Sequence, residues 1–139
     1  MTLFIDSAVF MYAAGAEHEL RGPCQSVLRG AVDRRIDAVT SAEVVQEVLH
    51  RYLSIRQVTI GIGVARDILT AFGPVLPVTH DVMARVPDLG DRYADRLAAR
   101  DLVHLASCIE AGIDQIVTTD RGFDHITEVR RVDPRELAA

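Results

Sequence analysis

Four acidic residues of this chain lie where folding could bring their carboxylates together. Asp6 and Asp120 each directly follow an apolar run with the character of a β-strand. Glu47 lies inside an amphipathic stretch with helical spacing, and Asp101 opens another such stretch. Because ligands bind at the carboxyl ends of the strands in open parallel sheets, we expect the four acids to share that edge.

The expected cluster is unfavourable without a cation. Two like charges about 4 Å apart repel by roughly 4 kcal/mol at an effective dielectric constant of 20, so some of the acids would otherwise hold a proton. Oxygen ligands favour Mg²⁺, with Mn²⁺ as a substitute, and the sequence has no closely spaced His and Cys residues that would favour zinc. A divalent ion in such a site activates water for attack on a phosphodiester bond, which predicts hydrolysis to a product with a 5′ phosphate.

Each of these acids also has a structural explanation. Asp6 and Asp120 could simply end a strand at a turn, a position that Asp favours. Asp101 could instead stabilise the helix that begins there, because a negative charge at a helix N-terminus interacts favourably with the helix dipole. Glu43 lies one helical turn before Glu47, so it is an alternative ligand, or a partner in a capping box at the start of that helix.

The alternation of strand-like and helix-like segments predicts an α/β fold. The expected strands are residues 3–5, 36–40, 75–79 and 115–119, with 128–132 as a fifth candidate. The expected helices are residues 8–14, 23–34, 42–52, 58–72 and 101–111. Strands separated by helices predict a parallel central sheet of four to five strands flanked by helices.

Two segments have ambiguous patterns. Residues 58–64 alternate like a strand, but the apolar spacing that continues over 58–72 favours a helix. The polar, acidic stretch that contains Asp88, Asp91 and Asp95 is assigned neither a helix nor a strand.

The length and composition are those of an ordinary globular protein. The chain has 139 residues, of which 49% are apolar and 25% charged, so we expect residues 1–139 to form a single domain with a core of its own. We expect neither a signal peptide nor a membrane-spanning segment. Cys24 and Cys108 fall in expected helices and are interpreted as reduced, buried thiols of a cytoplasmic protein.

The net charge of −5 argues at first against a nucleic-acid partner. Four acids assigned to a metal cluster account for most of that charge, however, and one or two divalent ions would offset it. All fifteen basic residues are arginine. Arginine suits bidentate contact with phosphate, although a GC-rich genome explains the bias equally well.

Four segments, in their order and spacing, resemble the PIN-domain family, and more narrowly the toxin nucleases of VapBC-type toxin–antitoxin pairs. The segments are residues 4–7, 40–48, 100–106 and 116–124. The resemblance extends over nearly the whole chain, although residues 53–91 match only loosely. It implies a Mg²⁺-dependent endoribonuclease that acts on RNA, is inhibited by a cognate antitoxin protein and is often assembled as a homodimer.

The resemblance also implies roles for individual residues. The family's catalytic and metal-binding positions fall on Asp6, Glu47, Asp101 and Asp120. The accessory candidates beside them are Ser7, Thr118 and Asp124, and Arg121 is a candidate substrate contact. His104 lies nearly on the face of Asp101 and is interpreted as a partly buried histidine with its hydrogen bonds satisfied, with substrate contact or proton relay as the alternative.

Other phosphoryl-transfer enzymes fit the sequence poorly. A phosphatase with aspartyl chemistry needs a second acid two residues after Asp6, where Ala8 stands. A receiver domain and a phosphate-binding loop both need a lysine, and the chain has none. Two alternatives stay open: a catalytically inactive PIN-like module that works through protein contacts, and a housekeeping RNA-processing nuclease with the same acids.

Overall fold

The computed structural model of the protein describes residues 1–137, so the single domain expected over residues 1–139 extends two residues beyond the described range. Within residues 1–137 the strands are β1 (Leu3–Ile5), β2 (Ala38–Val39), β3 (Gln115–Val117) and β4 (Arg130–Val132). The helices are α1 (Ser7–Ala14), α2 (Arg21–Val32), α3 (Ala42–Ser54), α4 (Val58–Phe72), α5 (His80–Tyr93), α6 (Ala99–Ala111) and α7 (Pro134–Leu137), with a short 3-10 helix at Arg121–Phe123.

The strands form a parallel sheet in the order β2-β1-β3-β4. In its register, Phe4 lies opposite Val39 on one side and Ile116 on the other. Phe4 and Ile116 are fully buried, as expected for central strands whose faces are covered. The α/β fold with a parallel sheet flanked by helices is thereby confirmed, and β1 and β3 lie at its centre.

The sheet places two acids at the carboxyl ends of neighbouring strands. Asp6 directly follows β1, and its backbone N–H donates to the carbonyl of Val117 at 3.0 Å. Asp120 follows the end of β3 by three residues. The sequence interpretation of these two positions is therefore confirmed at the level of the backbone.

The capping residues set where the helices near this edge begin and end. The Ser41 hydroxyl accepts the N–H of Val44 and starts α3, as expected. Gly112 adopts the left-handed conformation, with a φ of 71°, and ends α6. The helix expected over residues 58–72 is α4, with the same bounds.

The strand expected over residues 75–79 is wrong. Within the described residues, Leu76 is the only residue of this segment that forms a β-bridge, and its partner in this isolated parallel bridge is Ser41. Leu76 donates its N–H to the carbonyl of Thr40 and accepts the N–H of Ala42. Pro77 follows immediately and has no N–H to give, which prevents the pairing from continuing.

The helix α5 lies in the acidic stretch to which the sequence analysis assigned no element. Its buried side is narrow and consists of Val82, Leu89 and Tyr93, and Thr79 caps its first turn by accepting the N–H of Val82. The exposed acids and an internal proline, Pro87, obscured this sparse apolar spacing. The helix packs on α6 and so supports the helix that carries Asp101.

The expected burial of both cysteines is confirmed. Cys24 and Cys108 are fully buried and form no disulfide. No helix within the described residues is long and apolar enough to cross a bilayer.

Two glycines of α4 offer a matched test of how α3 packs on α4. A Cβ added at Gly61 would lie 2.5 Å from the Cβ of Tyr52, whereas one added at Gly63 would meet nothing within 4 Å. We expect Gly61→Ala to lower the free energy of unfolding by about 1–3 kcal/mol through overpacking. Gly63→Ala should raise it by about 0.5–1 kcal/mol, because alanine is the better helix former. Urea denaturation of the two variants measures both effects, and equal shifts would contradict the close approach at Gly61.

Candidate active site

Three of the four expected acids meet at the carboxyl end of the sheet. Asp6, Glu47 and Asp101, together with His104, each offer a ligand atom, and these atoms all lie within 4.8 Å of one another. Asp6 follows β1, Glu47 lies on α3, and the other two residues lie one turn apart on α6. We call these four residues the acidic cluster.

The Asp6 carboxylate is the most buried acid of the cluster and is fixed from two sides. Its Oδ1 accepts the N–H of Ser7 at 2.7 Å and thereby caps α1. Its Oδ2 accepts the hydroxyl of Thr118 at 2.6 Å. The same hydroxyl accepts the N–H of Asp120 at 3.1 Å, so one side chain connects the loop after β3 to Asp6. Ser7 and Thr118 therefore lie where the sequence analysis placed accessory residues.

Glu47 is held by two basic side chains. His104 donates from Nε2 to Glu47 Oε1 at 2.8 Å, and the same nitrogen lies 3.6 Å from Asp6 Oδ1. The Nε of Arg100 lies 3.2 Å from Glu47 Oε2. The sequence analysis missed Arg100, although its position directly before Asp101 was a usable signal.

His104 is more deeply placed than expected. Its ring is fully buried, and Nδ1 has no hydrogen-bond partner within residues 1–137, so the expectation of a partly buried histidine with satisfied hydrogen bonds is wrong. The spacing of three residues from Asp101 on one helix brings it into the cluster. It adds an imidazole nitrogen to a ligand set that was expected to contain oxygen alone.

Burial and the neighbouring charges shift the pKa values of all three acids of the cluster. Burial raises the pKa of Asp6, although His104 and Thr118 oppose the shift. Burial and the charge of Asp6 raise the pKa of Asp101 to about 6. Burial alone would also raise the pKa of Glu47, but the hydrogen bond and charge of His104 hold it below its usual range.

Burial and the charges of the acids shift the pKa of His104 in opposite directions. Burial alone would lower the pKa of His104, but the hydrogen bond to Glu47 and the charges of Asp6 and Asp101 outweigh it and raise this pKa. The unpartnered Nδ1 opposes full protonation, since a buried N–H without an acceptor is costly. A cation bound among these groups would compensate the same negative charges.

The fourth acid, Asp120, lies beside the cluster rather than inside it. Its carboxylate is exposed, and Oδ1 accepts the N–H of Gly122 at 2.8 Å. Its charge nevertheless contributes to the raised pKa of Asp101. Its place in the metal-binding quartet stays a prediction.

The remaining candidates lie further from the cluster. Asp124 accepts Nε of Arg131 at 2.7 Å, and that hydrogen bond lowers the pKa of Asp124. Arg121 is exposed and has no ion-pair partner in the part of the chain that the structure describes. Glu43 is half-buried in the first turn of α3 and is not among the clustered groups within residues 1–137, so the choice of Glu47 agrees with the geometry.

The donor set fits a divalent cation. Carboxylate oxygens from Asp6, Glu47 and Asp101 converge, and their mutual repulsion is relieved when a cation binds. The nitrogen of His104 is a ligand that Mn²⁺ accepts more readily than Mg²⁺ does. Arg100 supplies positive charge at the rim and competes electrostatically with any ion that binds.

This competition can be measured with one substitution. We expect Arg100→Gln to tighten Mn²⁺ binding by about three- to tenfold at low ionic strength, because one positive charge beside Glu47 is removed. Isothermal titration calorimetry or the electron paramagnetic resonance of free Mn²⁺ gives the dissociation constant. Arg92→Gln is the matched control, since Arg92 pairs with Glu128 instead. Unchanged or weaker Mn²⁺ binding in Arg100→Gln would contradict the competition.

Known proteins share both the sequence and the fold. The profile of the family described as PIN domain matches residues 3–129. Ribonuclease VapC23 of Mycobacterium tuberculosis is 37% identical over 124 residues, which cover 88% of this chain and 93% of the relative. Ribonuclease VapC13 of the same species is 34% identical over 131 residues, which cover 94% and 98%.

Two solved structures have the same fold at low sequence identity. VapC20 of Mycobacterium tuberculosis, a Sarcin-Ricin loop cleaving toxin, matches with a TM-score of 0.71 and 20% identity, over 92% of this chain and 98% of that one. FitAcB from Neisseria gonorrhoeae matches with a TM-score of 0.73 and 19% identity, over 96% and 98%. Since the family profile spans most of the sequence and relatives exceed 30% identity over nearly all of it, this chain belongs to the PIN-domain family and, within it, to the VapC group.

Proposed function

We propose that the protein is a Mg²⁺-dependent endoribonuclease that hydrolyses RNA phosphodiester bonds and acts as the toxin of a toxin–antitoxin pair. The observation that carries the proposal is the convergence of Asp6, Glu47 and Asp101 in a member of the VapC group. The curated relatives are named ribonucleases, and one structural neighbour is described as a Sarcin-Ricin loop cleaving toxin.

The residues of the cluster and those that surround it would have different roles, according to their positions. Asp6, Glu47 and Asp101 would hold the ion, which supplies Lewis-acid activation of water and compensates the charge of the phosphate. Ser7 and Thr118 keep the Asp6 carboxylate in one orientation. Because these donors satisfy a carboxylate that is almost fully buried, the ligand is preorganised and needs no reorganisation when substrate arrives.

The exposed groups at the rim face the incoming RNA. Asp120 would complete the quartet from the loop after β3, and we propose that its charge helps to orient the attacking water. Arg121, next to it on the surface, would contact a phosphate of the strand. Asp124 is an accessory candidate whose carboxylate would first have to leave Arg131.

Substitution of the acids tests the nuclease directly. With Mg²⁺ and single-stranded RNA, we expect Asp6→Asn and Asp101→Asn to lower the cleavage rate at least about a hundredfold, since each removes a charged ligand. The products should carry a 5′ phosphate, which a 5′-phosphate-dependent exonuclease detects. Asp91→Asn, an exposed acid of α5, is the control and should cleave at the wild-type rate.

The outcome also separates the two alternatives. If the wild-type protein fails to cleave RNA in the presence of Mg²⁺ and also in the presence of Mn²⁺, the nuclease proposal is contradicted and the inactive interaction module is favoured. A housekeeping nuclease would cleave equally well but would have no dedicated inhibitor encoded beside it.

We further propose that the antitoxin lays an apolar helix into a groove between α1, α2 and α4. The groove has a volume of about 240 Å³ and is walled by Phe10, Leu28, Ile68 and Phe72. Solved neighbours include a VapBC2 assembly from Rickettsia felis and a toxin–antitoxin complex from Klebsiella pneumoniae. An apolar groove of this kind suits the buried face of an amphipathic helix.

A charge placed at the edge of the groove should block the antitoxin. Val32 is 59% exposed and lines the groove, so Val32→Asp should weaken binding of the neighbouring gene's product by about tenfold or more without unfolding the protein. Met83→Asp, on the exposed side of α5, is the control. Co-purification after co-expression measures the difference. If the neighbouring product neither binds nor inhibits the wild-type protein, the toxin assignment fails.

Two further features stay predictions. A homodimer is suggested by apolar side chains that α4 exposes, such as Ile60 and Leu69. A cytoplasmic location is consistent with the two unpaired cysteines, since reducing compartments keep thiols free.

A further inference from the structure

A cleft of about 550 Å³ is lined in part by residues that lie close in sequence to Asp6 and Thr118. It lies between the end of α1 and the end of α3. Ala8 and Thr119 form its inner wall. Ala8 is two residues from Asp6 in the chain, and Thr119 follows Thr118, whose hydroxyl donates to Asp6, so the cleft adjoins the residues that surround Asp6.

Tyr52 gives the cleft a rigid polar group. Its side chain lines the cleft and is only 6% exposed, yet its hydroxyl has no hydrogen-bond partner within residues 1–137. The side chain is held at its base, since Gly61 of α4 closely approaches the Cβ of Tyr52. The hydroxyl is therefore free to hydrogen-bond to a ligand that enters the cleft.

The outer wall is aromatic and carries one charge of each sign, from Arg51 and Glu17. The rings of Tyr12 and His18 lie 4.9 Å apart at an angle of 38°. His18 is itself fixed, because its Nδ1 accepts the N–H of Leu20 at 3.1 Å. Arg51 is exposed at the margin and has no ion-pair partner among the residues that the structure describes. The wall thus offers a flat ring for stacking beside a free guanidinium.

We propose that this cleft binds the base of the nucleotide that flanks the scissile phosphate in single-stranded RNA. The inference rests on the proposed nuclease function and specifies how its substrate is held. RNA is recognised in this way when an unstacked base lies against an aromatic side chain and its edge meets a fixed polar group. Tyr12 supplies the stacking face and the Tyr52 hydroxyl the edge contact, while Arg51 faces the adjoining phosphate.

The position of the cleft favours RNA over an unrelated small molecule. A strand whose phosphate lies at Asp6 and Asp101 must place its neighbouring nucleotides against the adjacent surface. On the side of Ala8 and Thr119 that surface is this cleft. At the margin of the cleft, Arg51 offers a positive charge to a phosphate, although Glu17 also lines the cleft.

The first test uses uncharged nucleosides, which need no metal ion and are not repelled by the acids. Saturation-transfer NMR with adenosine, guanosine, cytidine and uridine in metal-free buffer should show binding to the wild-type protein. Tyr12→Leu should reduce the signal at least about fivefold, because stacking on an aromatic ring is lost. Tyr93→Phe is the control for a tyrosine change elsewhere, since its hydroxyl bonds to Glu128. Absence of nucleoside binding to the wild-type protein would overturn the proposal.

The second test concerns selectivity, which a merely structural role would not change. Wild-type protein digests single-stranded RNA of random sequence, and sequencing of the ends should show a base preference next to the cut. Tyr52→Phe keeps the ring but removes the hydroxyl, so it should relax that preference and lower kcat/KM by about five- to tenfold. Tyr93→Phe should leave the preference unchanged, and melting temperatures confirm that both variants fold.

The experiments distinguish failure of the proposed base-binding cleft from failure of the proposed nuclease function. If the wild-type protein cleaves RNA but Tyr52→Phe and Tyr12→Leu leave base preference and nucleoside binding unchanged, the cleft proposal is wrong and the nuclease stands. If nucleosides bind in a manner that depends on Tyr12 but no metal ion supports cleavage, the nuclease proposal is wrong. Weakened antitoxin binding with unchanged RNA preference would overturn the cleft proposal and assign the surface to the protein partner.

Discussion

The buried carboxylate of Asp6 is the constraint on which the site depends. It ends a central strand in surroundings where an unpartnered charge would be very costly. It is tolerated because the N–H of Ser7 and the hydroxyl of Thr118 reach it, one from α1 and the other from the end of β3. The site can therefore exist only once β1, β3 and α1 have assembled, and the chemistry and the fold share the same contacts.

The structural and the chemical explanations of the acids hold at the same time. Asp6 caps α1, and Asp101 accepts the N–H of Ala98 at the start of α6. Asp120 caps the short 3-10 helix that follows β3. Each of these capping hydrogen bonds uses one oxygen of the carboxylate, and a carboxylate has further lone pairs that can bind a cation. A helix-capping role is therefore no argument against a role in metal binding.

The apolar spacing of the sequence predicted those strands and helices whose formation depends on residues close together in the chain. Apolar runs gave the position of the sheet, and the long spacing of α4 was enough to predict a helix. The strand expected around Leu76 failed because pairing there depends on Pro77 and on a partner in another segment. The depth of His104 and its bond to Glu47 follow from how α3 packs against α6, which periodicity does not reveal.

Cys108 lies on the same helix, one turn beyond His104, and is fully buried. Burial strongly raises the pKa of its thiol, with the charge of Asp6 adding to the effect. Oxidants and alkylating reagents attack the thiolate, and only where they can reach it. The interior beneath the acidic cluster is therefore shielded from redox chemistry, and oxidative stress would reach this thiol only if the helix first opened.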